Sequence, residues 1–187
     1  MVYKFGTNSG KYPTKVGGKR LPEYEVWTGI LKRCYIRENP AYNHCSLSNE
    51  WLEYDDFYET IKLVPNYEKM KEGWHLDKDI LFKDNIIYSK ETCCFVPREI
   101  NATLIKRKRD RGELPIGVNK VKDRFVARLS LNNNRIYLGS FKTPEKAFLC
   151  YKEAKELELR KLAEKWKGSL SPVTYQALLN YKVEITD

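Results

Sequence analysis

The spacing of apolar residues marks a helix first. Val26, Trp27, Ile30, Leu31 and Cys34 recur every three or four residues after Pro22, which gives one apolar helical face. Asn39-Pro40 predicts its end. A second helix is predicted near 53–63, with Phe57, Tyr58 and Ile61 inward and Pro65 closing it. Residues 1–21 are rich in Gly, Lys, Ser and Pro without periodicity and predict an arm or loop. The aromatic series Trp27, Trp51, Phe57 and Trp74 is assigned to the core rather than to a stacking platform. At Trp74 the period changes to two. His75, Asp77 and Asp79 alternate with Leu76, Lys78 and Ile80, which predicts a strand over 74–82. Lys83-Asp84-Asn85 reads as a turn and Ile86-Ile87-Tyr88 as a short return strand. Pro97 suits the first position of a helix carrying Ile100, Asn101, Leu104 and Ile105.

A different pattern begins near Leu114. Strand-like runs cover 116–122, 124–131 and 135–141, and Asn132-Asn133-Asn134 supplies the second turn. Phe125, Ala127, Leu129 and Leu131 share one face of the middle run, and Arg124, Val126, Arg128 and Ser130 share the other. In the third run Ile136 and Leu138 oppose Arg135 and Tyr137. Thr143-Pro144 is an N-cap followed by proline, so a helix is predicted through Ala147, Tyr151 and Ala154 to about Lys167, where Gly168 stops it. It should cover the apolar face of the sheet. Ser171-Pro172 predicts a short helix in the tail. The expected class is α+β. An arm (1–21), a first domain (22–105), a basic linker (106–113), a second domain (114–168) and a tail (169–187) follow one another.

Charge sharpens this division. Residues 1–105 carry 15 Lys and Arg against 15 Asp and Glu, so the net +9 arises entirely from 106–187. Within 106–142 there are 11 bases and 3 acids. A localised positive field points to a polyanion partner. Lys106, Arg107, Lys108, Arg109 and Arg111, at the junction, are assigned to phosphate contacts. No apolar run approaches the ~20 residues of a membrane span. The N-terminus lacks the apolar core of a signal peptide, so a cytoplasmic monomer is expected, with no membrane partner. Five cysteines, an odd number, predict free thiols. Cys34, Cys45 and Cys93 with His44 lack a recognisable zinc spacing, so buried packing cysteines are expected instead of structural zinc.

The second domain carries Gly117-Val118, Arg124-Phe125-Val126-Ala127-Arg128-Leu129, Arg135-Ile136-Tyr137-Leu138-Gly139-Ser140-Phe141 and Thr143-Pro144-Glu145-Lys146-Ala147. Over about 114–156 it resembles the AP2 (ethylene-response-factor type) DNA-binding domain. The resemblance implies a three-stranded antiparallel sheet in the major groove of double-stranded DNA, with a helix packed behind. Asn119, Lys120, Lys122, Arg124, Arg128, Ser130, Arg135 and Tyr137 would face DNA. Asn119, Arg128, Ser130 and Tyr137 differ from the residues usual in the plant proteins, so the target sequence does not transfer. RNA is an alternative polyanion.

The first domain contains Tyr24-Glu25-Val26-Trp27, Arg33-Cys34-Tyr35, Glu50-Trp51, Leu76-Asp77-Lys78-Asp79-Ile80, Asn85, Tyr88-Ser89, Thr92-Cys93 and Asn101. It resembles HNH (His-Me finger) proteins of phages and their hosts, often linked to homing endonucleases. The resemblance implies a strand, loop, strand and helix around one divalent cation, and residence in a bacterial host cell if phage-encoded. Asp77 and Asn101 would bind the ion, and Asn85 would brace the loop. Oxygen ligands suit Mg2+ or Mn2+. The family's histidine is the base that activates water, but Lys78 stands in its place. Three readings follow. Lys78 acts with a lowered pKa or as a cation on phosphate, His75 is the base, or the site is inactive and the protein only binds DNA. Asp79 is either a second metal ligand or a solvated acid. The expected function is a phage-homing-type DNA endonuclease, possibly a nickase. The alternative is a catalytically inactive HNH-fold DNA-binding protein acting as a regulator or host-interfering factor.

Overall fold

A computed structural model of the protein describes residues 1–36, 42–105, 112–131 and 134–187. The predicted helix stop at Asn39-Pro40, the basic run Lys106–Arg111 and the first two asparagines of the Asn132-Asn133-Asn134 turn lie outside the described residues. The protein is α+β and divides into two compact units, 1–98 and 99–187. No helix is long and apolar enough to cross a membrane among the described residues.

The first unit opens with a hairpin of β1 (Lys15–Val16) and β2 (Lys19–Arg20), followed by α1 (Pro22–Tyr35). Proline sits in the first turn of α1 with Glu23 and Glu25, where fixed φ and negative charge suit a helix N-terminus. Trp27, Ile30, Leu31 and Cys34 of this helix are buried, as their spacing predicts. After β3 (Ser46–Leu47), the second predicted helix is broken into α2 (Asn49–Leu52) and α3 (Tyr54–Thr60), with a 3-10 turn over Ile61–Leu63. The break has a backbone cause. Thr7 donates its N–H to the Leu52 carbonyl and accepts from the Tyr54 N–H, both at 2.9 Å, and Glu53 between them is extended. The N-terminal arm is therefore part of this unit's fold. Trp27, Trp51, Phe57 and Trp74 are all buried. The indole N–H of Trp27 reaches the Trp51 carbonyl at 2.9 Å and that of Trp51 reaches Thr60 Oγ1 at 3.0 Å, so neither is left unsatisfied.

The strand predicted over 74–82 is shorter, and its partner is different. β4 is His75–Asp77 and pairs antiparallel with β6 (Cys94–Val96), placing His75 opposite Val96 and Asp77 opposite Cys94. The predicted return strand, β5 (Ile87–Tyr88), instead pairs in parallel with β3. β6 is wholly buried, and a strand buried on both faces reads as a continuous apolar run rather than as alternation.

The second unit begins in α4 (Arg98–Leu104), whose Glu99 accepts from Lys165 Nζ at 2.6 Å and from the Trp166 indole. Strands β7 (Val118–Val121), β8 (Arg124–Leu131) and β9 (Asn134–Phe141) form an antiparallel sheet in that order. Helix α5 (Pro144–Trp166) covers one face, and α6 (Pro172–Leu179) packs on α5. Thr143 is the predicted cap of α5 and accepts from the Lys146 N–H, and Ser171 caps the predicted tail helix by accepting from the Thr174 N–H. Ile116, Val118, Ala127, Leu129, Ala147, Phe148, Tyr151 and Val183 form the core. The tail therefore contributes through Val183. Gly117 has φ +76, and a Cβ there would lie 2.0 Å from Tyr151 Cδ2. Only glycine lets the sheet approach the helix at that point.

Lys155 is buried on α5 and donates to the Thr103 carbonyl at the end of α4. Burial lowers its pKa to about 8, against a weaker opposing pull from Glu158. The unfolded lysine holds its proton up to about 10.5, so between pH 8 and 10.5 the unfolded chain binds more protons. Stability from this group is fully present above that window and is lost as pH falls through it. Thermal melts should show the second unit gaining about 1–3 kcal/mol from pH 8 to 10 relative to Lys155→Met. Parallel pH profiles for the two proteins would refute the assignment.

Candidate functional site

The stretch after β4 owes its shape to three side chains that bond the backbone. Asp77 Oδ1 accepts from the N–H groups of Asp79 and Ile80 at 2.8 and 2.9 Å. This turn ends the strand and explains why the alternation through 82 does not continue as β structure. Asn85 Nδ2 donates to the carbonyls of Lys78 and Ile87 at 2.9 and 2.7 Å, and its Oδ1 accepts from the Ile87 N–H at 3.2 Å. Lys78 Nζ returns the contact by donating to the Asn85 carbonyl at 2.7 Å and to the Asp79 carboxylate. Lys78 and Asn85 thus clasp each other reciprocally across the loop. Thr92 adds a bond to the Ile87 carbonyl at 2.7 Å.

Lys78 points inward with Leu76 and Ile80, as the two-residue alternation predicts, and only 8% of it is exposed. Its ammonium lies 5.9 Å from the Tyr88 ring centroid. Burial favours the neutral amine, but the Asp79 hydrogen bond and charge, with Cys45 and Asp77, outweigh it and the pKa is raised. The reading of Lys78 as a base with a lowered pKa is therefore corrected: it is a protonated loop brace. Cys45 was not singled out for this site by the sequence, and nothing short of the fold places its thiol beside Lys78.

His75 is the exposed member of β4 and shares a strand face with Asp77. Partial burial, then the guanidinium charges of Arg98 and Arg33, lower its pKa and favour the neutral ring. Arg33 and Arg98 had no predicted role, because neither is near His75 in sequence. Burial raises the Asp77 pKa to about 6, and Asp79 adds to the rise, against the two backbone N–H bonds and Lys78. The carboxylate is ionised at neutral pH. No hydrogen bond among the described residues engages its second oxygen. Asp79 is shared with Lys78. Asn101 is half-buried in α4 and belongs to the second unit, whereas Asp77, Lys78, Asp79, Asn85 and His75 belong to the first.

Among the described residues, no three His, Cys, Asp or Glu side chains group as metal ligands. The five cysteines are free thiols. Burial raises Cys34 and Cys93 to about 12, so both are protonated thiols in this structure.

The open face of the β7–β9 sheet is the second candidate surface. Directly opposite residues share a face. Arg128 is opposite Tyr137, Ser130 opposite Arg135, and Asn119 opposite Val126. These positions and Arg124 lie on the face away from the core, and Tyr137 is 61% exposed. Arg124 is oriented by bonds to Ser140 Oγ at 3.2 Å and to the Ser140 carbonyl at 2.7 Å. Lys120 differs from expectation. It lies opposite Phe125, which packs on the core, so it belongs to the other face at the sheet's edge. Lys122 is in the β7–β8 turn with φ +53. A register shift at Ala127/Arg128 leaves Leu138 without an opposite residue, and Leu138 packs on the core while Ile136 is exposed. Lys106, Arg107, Lys108, Arg109 and Arg111 lie outside the described residues.

Comparison of the chain with protein-family models, curated proteins and solved structures finds no match.

Asn85→Ala removes three bonds and leaves the Lys78 and Ile87 carbonyls without their amide donor. It should destabilise the first unit by about 2 kcal/mol. Amide exchange should accelerate at Ile87 and its neighbours with the second unit unchanged. Unaltered exchange there would show that the clasp is dispensable.

Proposed function

We propose that this protein is a sequence-directed DNA endonuclease. The open sheet face binds double-stranded DNA, and the exposed side of β4 hydrolyses a phosphodiester with one magnesium or manganese ion. One observation carries the catalytic part: His75 stands on the same strand face as Asp77, and the charges of Arg98 and Arg33 favour its neutral ring. Alternate residues on a strand are roughly 6.5 Å apart, room for a water and a phosphate oxygen between two side chains. In this reading His75 takes the proton of the attacking water, and the two arginines attract the phosphate. Lys78 and Asn85 hold the loop.

The donor set fits a hard divalent ion. Among the described residues, one carboxylate oxygen of Asp77 has no hydrogen bond, and magnesium is often held by one or two carboxylates with substrate phosphates and water. An ion there would supply charge stabilisation to the phosphoryl oxygens. Asp79 is occupied by Lys78, which favours a bracing role over ligation. Asn101 keeps the metal role implied by the resemblance as a separate, testable part.

For DNA recognition, Arg124, Arg128 and Arg135 with Asn119, Ser130 and Tyr137 present guanidinium and amide donors on one sheet face. Arginine pairs in bidentate fashion with guanine in the major groove. Lys122 at the turn and the run Lys106–Arg111 suit phosphate contacts. The second reading, a non-catalytic DNA-binding protein, is favoured by the protonated Lys78 at the position of the family's histidine.

Site selection from random duplexes in the presence of metal provides the substrate. Purified protein should nick or cut a supercoiled plasmid carrying the selected site. Asp77→Ala and Asn101→Ala should abolish cutting while site affinity stays within about threefold. His75→Ala should lower the rate by about 100-fold or more, and Lys78→Ala should act mainly through stability. A bound plasmid that stays intact with either metal would leave the non-catalytic reading.

Both readings predict that affinity falls steeply with salt through counterion release. Arg128→Ala should cost about 1–3 kcal/mol and relax preference at one base position. Affinity flat in salt would reject a nucleic acid partner, and preferential competition by RNA would replace DNA with RNA.

A further inference from the structure

The hairpin before α1 is an exposed cationic ribbon in a unit that carries 15 basic and 14 acidic residues. Residues 15–20 are all exposed, including Val16 at 63%. Gly17 and Gly18 have φ +56 and +78, the backbone of a two-residue turn that needs positive φ at both central positions. The register places Lys15 directly opposite Arg20 and Val16 opposite Lys19, and the Leu21 N–H to Thr14 carbonyl bond at 2.9 Å closes the base. Two like charges directly opposite each other destabilise a ladder. Among the described residues, none of Lys15, Lys19 and Arg20 makes an ion pair. Arg20 lies over the Tyr24 ring, at 6.0 Å. Elsewhere in the unit, Lys11 pairs with Glu59, Lys69 with Glu72, Lys78 with Asp79 and Lys90 with Glu50.

We propose that the Lys15–Arg20 hairpin is a second nucleic-acid contact, a ribbon that grips the phosphodiester backbone without reading sequence. The inference rests on the proposed DNA-binding function and adds a surface in the first unit to it. The chemistry suits phosphate in three ways. Opposed cations separated by a strand spacing are relieved by an anion lying across them. The Gly-Gly tip has no side chains, so backbone can approach a phosphate closely. A two-stranded ribbon also fits a duplex groove.

Counterion release gives the test. Each phosphate contact contributes a slope of about 0.9 to the dependence of log affinity on log salt. Full-length protein carrying Lys15→Gln, Lys19→Gln and Arg20→Gln is titrated with a fluescent-labelled duplex of unrelated sequence and with the selected site. The slope should fall by about 2–3 on both duplexes, and affinity near 0.15 M salt should fall roughly 10- to 100-fold on both. The melting temperature should be unchanged or slightly raised, because a like-charge pair is removed. A control of equal charge, Lys11→Gln, Lys69→Gln and Lys71→Gln, should move the slope by less than one. If wild-type protein binds duplex with a salt-dependent affinity but the hairpin variant keeps its slope, the hairpin inference fails while the DNA reading stands. Equal loss in hairpin and control variants also overturns it, since only net charge would matter. If wild-type protein binds no duplex at any salt, both fail together.

Discussion

The reciprocal clasp between Lys78 and Asn85 is the constraint on which the candidate catalytic surface depends. Each residue gives a side-chain donor to the other's backbone carbonyl, and Asp77 caps two N–H groups beside them. These bonds replace a strand ladder, so β4 stops at Asp77 and the following chain is free to leave the sheet. The ammonium is satisfied by Asp79 and the Asn85 carbonyl before it is buried, which is the condition for keeping a charge in the interior. A lysine committed in this way positions a loop. It leaves His75 as the titratable side chain on the exposed strand face, the base of the proposed reaction.

Both units pair some cations with carboxylates and leave others on an exposed surface. In the first, Lys11, Lys69, Lys78 and Lys90 are paired with carboxylates, whereas among the described residues Lys15, Lys19 and Arg20 of the hairpin make no ion pair. In the second, Arg128 lies opposite Tyr137, Arg135 opposite Ser130 and Arg124 opposite Val121, while Ala127 and Leu129 belong to the core. Charge pairing within a surface reduces its attraction for an outside anion, and unpaired clusters strengthen it. The proposed division of labour therefore follows from how each cation is neutralised, more than from the total of +9.

Much of the secondary structure could be read from periodicity and caps. The buried stripe of α1, the three sheet strands, Thr143 as a cap, the short helix after Ser171-Pro172 and the inward direction of Lys78 all follow from residue spacing. The interruption at Glu53 did not, because it comes from Thr7, far away in sequence. Nor did the pairing of β4 with β6, although the apolar run Cys93-Cys94-Phe95-Val96 was the available signal for a buried strand. Periodicity reports which face is apolar, but it does not report which strand completes the ladder.

The sequence by itself determined the local faces, the turn chemistry and the concentration of positive charge after residue 105, since these depend on side-chain identity and spacing along the chain. The tertiary structure alone decided that Lys78 remains protonated, that His75 sits near Arg33 and Arg98, that Lys120 leaves the open face, and that Lys15 confronts Arg20. Each of these depends on a partner brought close by folding or on a register of one residue. Protonation and facing are set by distance in space, and a linear pattern does not contain it.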